Sequence, residues 1–156
     1  VFVIGCDCNS KSIACSLLED DVILATLKIE TEEVDQERRT SDLYSLAVTF
    51  FRQCKDEVDG VYVEKAIYLQ NAKTTLAINA VVVATKLAAE QNGISCHFVD
   101  NKVWKKNVLG KGNATKPMIM AYAIESWGKD LFGNQDVADA ACVARYGYQQ
   151  LIKIGG

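Results

Sequence analysis

The sequence predicts an α/β fold with a mixed five-stranded sheet, a three-strand meander followed by two crossover strands, flanked by helices. Three observations predict it. Short apolar runs of strand length cluster at the start of the chain, two long stretches of helical periodicity then alternate with further short runs, and the remainder is helical. Strands lying parallel to one another need crossovers, and both long helices fall where crossovers belong.

Residues 1–8 are almost continuously apolar, as expected of a strand covered on both faces. Residues 12–18 and 22–29 follow as strands joined by the acidic turn Glu19-Asp20-Asp21. Leu43, Leu46, Ala47, Phe50, Phe51, Cys54 and Val58 then repeat at helical spacing behind Thr40, Ser41 and Asp42 as candidate N-caps, with Gly60 as the stop. Val61-Tyr62-Val63 is a short buried strand ending at Glu64. Residues 72–90 form a long helix apolar on most sides, hence a central one, which Gly93 stops. A fifth strand spans 94–99, and Asp100 is placed to cap a basic helix running through Asn107. Gly110-Lys111-Gly112-Asn113 is a hinge-like loop, and residues 115–127 and 135–152 close the chain as helices.

The 156 residues suit one domain, 1–156, without internal repeats or a Pro/Gly-rich linker; Pro117 is the only proline. No apolar run reaches the roughly 18 residues of a membrane span, and no secretory signal is expected. Six cysteines, without a CxxC or a nearby histidine to complete a metal site, read as reduced thiols in a reducing compartment, hence a cytoplasmic protein. The net charge of −3 hides an asymmetry: residues 1–64 hold six Lys/Arg against fourteen Asp/Glu, whereas residues 65–156 hold eleven against six. A basic second half can bind phosphates while the total stays acidic.

Four carboxylates stand out. Asp7 interrupts the apolar run of the first strand, where a buried carboxylate is costly unless a turn or a cation holds it. Glu64 repeats the pattern at the fourth strand's end, with Lys65 beside it as a candidate ion-pair partner. Asp136 and Asp139 lie at i and i+3 on one helical face. Asp136 also suits the helix dipole, but Asp139 sits among Val137, Ala138, Ala140, Ala141, Cys142 and Val143 and needs a partner. Together the four suit hard divalent ions, which prefer oxygen ligands. Lys102, Lys105, Lys106, Lys111 and Lys116 surround the glycine loop and supply point charges for phosphate; the loop is no nucleotide-binding motif. His97, Trp104 and Trp127 read as structural residues.

In order, Ile4-Gly5-Cys6-Asp7, Val63-Glu64, the stretch from Lys105 to Lys116 and Asp136-Val137-Ala138-Asp139-Ala140 resemble the RuvC family of Holliday-junction resolvases, within the RNase H-like nucleases. The resemblance spans nearly the whole chain. It implies a crossover junction endodeoxyribonuclease that makes paired nicks in four-way junctions, and other branched DNA, as a homodimer with no membrane association. It further implies two Mg²⁺ ions per active site, with Mn²⁺ able to substitute, on Asp7, Glu64, Asp136 and Asp139. Lys116 would contact the scissile phosphate region, and Lys105, Lys106 and Lys111 would bind the DNA backbone. The family usually continues the first aspartate with Pro-Gly-Ser, whereas Cys8-Asn9-Ser10 follows Asp7 here. Ile67 occupies the place where cellular members carry an aromatic that helps open the junction, and the adjacent Tyr68 is the candidate substitute for DNA contact. These differences suit a bacteriophage-type member acting in the host cytoplasm. The competing readings are an RNase H-like nuclease for flaps, forks or RNA–DNA hybrids, and an inactive junction-binding module.

Overall fold

The structure, a computed structural model, describes residues 1–155. Strands β1 (Phe2–Cys8), β2 (Ser12–Glu19) and β3 (Val22–Glu30) form the meander. Helix α1 (Gln36–Cys54) leads to β4 (Gly60–Glu64), and α2 (Ala72–Gln91) leads to β5 (Cys96–Val99). Helices α3 (Asn101–Leu109), α4 (Lys116–Trp127) and α5 (Gln135–Gly155) complete the fold, with a 3-10 turn at Lys129–Leu131. The sheet order is β3-β2-β1-β4-β5, antiparallel from β3 to β1 and parallel from β1 to β5. This is the mixed five-strand sheet that the hydrophobic pattern predicts.

Strand alternation divides the core in two. Ile4 and Cys6 of β1 face α1 and α2, meeting Leu43, Phe51, Val81 and Val82. Val3 faces the other way, toward Trp104 of α3, Ile119 of α4 and Ala141 of α5. A strand so covered must be apolar on both sides, which accounts for the unbroken run at the start of the sequence.

Three local expectations change. Helix α1 begins at Gln36, capped by the Asp35 side chain, which accepts from the Arg38 N–H at 3.1 Å. Thr40, Ser41 and Asp42 therefore lie inside the helix; its polar first turn, Gln36 to Arg39, gives no apolar period to mark the start. The helix ends at Cys54, so Val58 reaches the core from a loop, and Gly60 opens β4 rather than closing α1. Helix α2 is long and apolar enough, by length and composition alone, to cross a membrane, yet one face is buried on the sheet side through Val81, Val82, Ala88 and Ala89. It is not central: Leu76, Val83 and Leu87 are 69%, 39% and 53% exposed. Asp100 occupies the N-cap position of α3 without a side-chain cap bond, and Gly110 ends that helix at φ +82°, a conformation glycine adopts freely. All six cysteines are free, with Cys6 and Cys15 opposed across β1 and β2 in the core.

Helix α5 lies unusually close to the sheet. A Cβ on Gly5 would fall 2.2 Å from the Ala140 carbonyl oxygen and 2.4 Å from the Ala144 nitrogen, and one on Gly147 would fall 2.3 Å from the Tyr62 ring. Small residues at 140, 144 and 147 thus let the helix backbone rest on β1 and β4. Two polar ties reinforce the seat. The Ser16 hydroxyl donates to the Val137 carbonyl at 3.0 Å. Arg145 Nε and Nη2 donate to the Asp21 carboxylate at 2.8 and 3.0 Å, Nη1 donates to Tyr122 and Ser126, and the guanidinium lies 4.1 Å from the Trp127 ring centre. Gly5→Ala has no flexible side chain to displace, only backbone. Chemical denaturation should show a loss of about 3 kcal/mol, the upper end of ordinary overpacking.

Candidate active site

Asp7 and Glu64 come together because their strands are parallel neighbours. The β1–β4 register pairs Gly5 with Tyr62 and Cys6 with Val63, so the next step along both strands reaches Asp7 and Glu64. Like Gly5 and Tyr62, both point toward the α5 side of the sheet. The seating of α5 then brings its first turns, with Asp136 and Asp139, over the ends of those strands. A cleft of about 150 Å³ opens at the spot, lined by Asp7, Cys8, Glu64, Ala66, Ile67 and Leu69 among others. A separate groove of about 930 Å³ lies away from these carboxylates, between the N-terminal parts of α1 and α2.

The four carboxylates differ in their partners. Burial pushes the Asp7 carboxyl well above the ordinary aspartate value, and the charges of Glu64, Asp139 and Asp136 push it the same way. A hydrogen bond shared with Asp139 adds to the rise, and no cation stands among its causes. Burial also raises Glu64, opposed by hydrogen bonds from the Trp104 indole Nε1 at 2.7 Å and the Asn101 amide at 3.1 Å. Burial raises Asp139, opposed by the Gln135 amide at 3.0 Å and by the charges of Lys105 and Lys116. Asp136 forms an ion pair with Lys28 of β3 at 3.1 Å.

The basic residues separate in the same way. Lys105 acts electrostatically on both Glu64 and Asp139, and Lys116 acts on Asp139, so these two border the carboxylates. Lys106 and Lys111 are exposed on α3 and the glycine loop. Tyr68, 80% exposed, stands in the loop that leaves Glu64, beside exposed Ile67 and Leu69. Lys65 pairs with Asp100 at 3.7 Å rather than with Glu64, because Glu64 points inward to α3. His97 is exposed on β5 and stacks near Tyr62, with ring centres 5.2 Å apart. Sequence reading missed Trp104, Asn101, Gln135 and Lys28 as partners of the carboxylates. Only Trp104 offered a signal, since a buried indole N–H requires an acceptor.

Among the described residues, no three His, Cys, Asp or Glu side chains already close on one point as a metal cage. Asp136 is turned away to Lys28. The donor chemistry nevertheless fits a hard divalent cation. Asp7, half-buried, is pressed by the charges of three more carboxylates with no cation to offset them, and all the candidate ligand atoms are oxygen.

No protein-family model matches the sequence, and neither does any curated protein. Solved structures do. The structure of Thermus thermophilus RuvC matches with a TM-score of 0.79 at 16% identity, covering 97% of this chain and 96% of that one. The chain has the RuvC fold. T. thermophilus RuvC in complex with Holliday junction substrate matches equally, with a TM-score of 0.79 and 16% identity over 96% and 95% of the two chains. A yeast mitochondrial Holliday junction resolvase matches with a TM-score of 0.55 and 16% identity, over 91% of this chain and 75% of its own. Within the RuvC fold, the carboxylates occupy the ends of the parallel strands β1 and β4 and the start of α5.

The raised carboxyls carry a pH signature. Folded protein holds these protons more tightly than unfolded chain does, so their contribution to stability is full at low pH. It is lost as pH rises from the ordinary carboxylate range through the raised native values. Asparagine at position 7 does not titrate. In metal-free buffer Asp7→Asn should therefore melt above the parent at neutral pH, by at least about 2 °C. The gap should shrink toward about pH 4 and close when Mg²⁺ is added to the parent. A gap that is independent of pH would show that Asp7 carries no such strain.

Proposed function

We propose that this protein is a metal-dependent, structure-selective DNA endonuclease that makes paired nicks in four-way junctions. The observation that carries this reading is the Asp7 carboxylate, held among Glu64, Asp136 and Asp139 in a RuvC fold, with Lys105 and Lys116 bordering the same cluster. The fold alone fits many functions, so the weight rests on this site.

Asp7, Glu64, Asp139 and Asp136 would hold two Mg²⁺, or Mn²⁺ in their place, and Asp136 would leave Lys28 to do so. When bound, such a pair activates water and stabilises the leaving oxygen of a phosphodiester. Lys116 offsets negative charge at the phosphate, and Lys105 steadies the backbone beside it. Lys106 and Lys111, exposed on the same basic segment, take more distant phosphates as point charges. Tyr68 presents a free aromatic face next to the site, suited to an unstacked base at a branch point. The six free thiols support action in a reducing cytoplasm.

Helix α2 supports the homodimer. Exposed Leu76, Val83 and Leu87, with half-buried Ala80, form a seam at alternating four- and three-residue spacing. Laid antiparallel on a second copy, the seam is self-complementary: Leu76 meets Leu87, Ala80 meets Val83, and Lys73 meets Glu90. Such an isologous pairing gives the two-fold assembly that symmetric cutting of a junction requires.

Labelled four-way junction, flap, duplex and RNA–DNA hybrid, each incubated with Mg²⁺, should show preferred cutting of the junction. Preference for the flap or the hybrid would move the protein to a different RNase H-like activity. Asp7→Asn should lower cleavage by roughly a thousandfold, about 4 kcal/mol of barrier, while junction binding in Ca²⁺ holds or rises. A protein with this substitution that folds, binds and still cuts near the parental rate would sink the two-metal assignment. Lys106→Ala should reduce the slope of log affinity against log salt by about one unit. Leu87→Glu should give a monomer by light scattering and break the pairing of the two nicks.

A further inference from the structure

Of the four carboxylates, Glu64 alone has both oxygens held from a single helix. The Trp104 indole Nε1 donates to Oε2 at 2.7 Å, and the Asn101 amide donates to Oε1 at 3.1 Å. The indole cannot swing away, because Trp104 is fully buried in the core between the sheet and α5. Its N–H is a donor only, and Glu64 is the acceptor it finds. Each carboxylate oxygen offers two lone pairs, so one donor on each oxygen leaves a lone pair on each for a cation. Asn101, Trp104 and Lys105 lie at i, i+3 and i+4, on one face of α3. The helix that brings the Lys105 charge to the site therefore also orients Glu64.

We propose that Trp104 and Asn101 are positioning residues, which fix the Glu64 carboxylate beside Asp7 in the orientation that binds the cation. The proposal rests on the reading of Glu64 as a metal ligand. Neither residue touches the reacting atoms; both act through Glu64.

The test uses the full chain, with Mn²⁺ alone as the probe. Trp104→Phe removes the N–H and keeps an aromatic ring, Asn101→Ala removes the amide, and Asn101→Asp replaces that donor with a charged acceptor of equal size. Mn²⁺ affinity, measured by calorimetry without DNA, should fall roughly tenfold or more for Trp104→Phe and Asn101→Ala. Asn101→Asp should be worse than Asn101→Ala, although it fills the space better. The maximal junction cleavage rate should fall by the same order, with KM and Ca²⁺-supported binding within about twofold. In the parent, the Trp104 indole N–H resonance should be protected from exchange and should move in Glu64→Gln.

Folded Trp104→Phe with unchanged Mn²⁺ affinity overturns the proposal, as does an indole resonance indifferent to Glu64→Gln. Should Trp104→Phe fail to fold, the Asn101 pair decides: equal effects of Ala and Asp mean that Asn101 only fills space, and overturn it. A parent protein that binds Mn²⁺ but cuts no branched DNA removes the nuclease reading alone, since affinity and resonance still report on Glu64.

Discussion

The contact on which the site depends is the rest of the α5 backbone against β1. At Gly5 the helix lies so near the strand that a single methyl group would meet the Ala140 carbonyl and the Ala144 nitrogen. Asp7 is two residues beyond Gly5 on the same face of the strand, and Asp139 immediately precedes Ala140. The short separation that excludes a Cβ thus brings Glu64, Asp139 and Asp136 near enough to push the Asp7 carboxyl up. Like charges drawn together this way oppose folding, and the ties at Ser16 and Arg145 hold the helix down against them.

Counter-charge is distributed rather than shared evenly. Asp136 has Lys28, Asp139 has Gln135 and the fields of two lysines, and Glu64 has two neutral donors and the field of Lys105. Asp7 shares a hydrogen bond with Asp139 and is otherwise acted on by carboxylates alone, so the charge least offset by cations sits at the centre of the set. A neutral donor steadies a carboxylate without cancelling its charge, which keeps Glu64 attractive to a cation in a way that an ion pair would not. The acidic first half and basic second half of the sequence meet here, at the ends of β1 and β4 and along the faces of α3, α4 and α5.

The sheet and most of its helices were legible because each apolar run has the period of its element. Asp7 and Asp139 were legible for the converse reason: a carboxylate inside an apolar stretch is an energetic anomaly that local sequence displays. What stayed hidden was long-range. Trp104 and Glu64 are 40 residues apart, and no periodicity reports that an indole on one element donates to a carboxylate on another. Lys28 looked like any outward residue of an edge strand until α5 was laid across it. The start of α1 was misjudged because Gln36 to Arg39 helps form the helix without adding to its apolar stripe. The exposed apolar face of α2 was read as core, since its composition is the same as that of the face buried on the sheet.

The centre draws its carboxylates from the first strand and from the C-terminal helix of this chain, with Glu64 between them. A ribosome therefore delivers Asp7 long before Asp136 and Asp139. Until α5 emerges and seats on Gly5, a nascent chain carries Asp7 and Glu64 on strands with one face uncovered. Half a site on an unfinished sheet has neither the full ligand set nor a stable fold. On the proposed reading of this site, cutting would begin only once α5 is seated, and fragments that end before α5 would lack the activity.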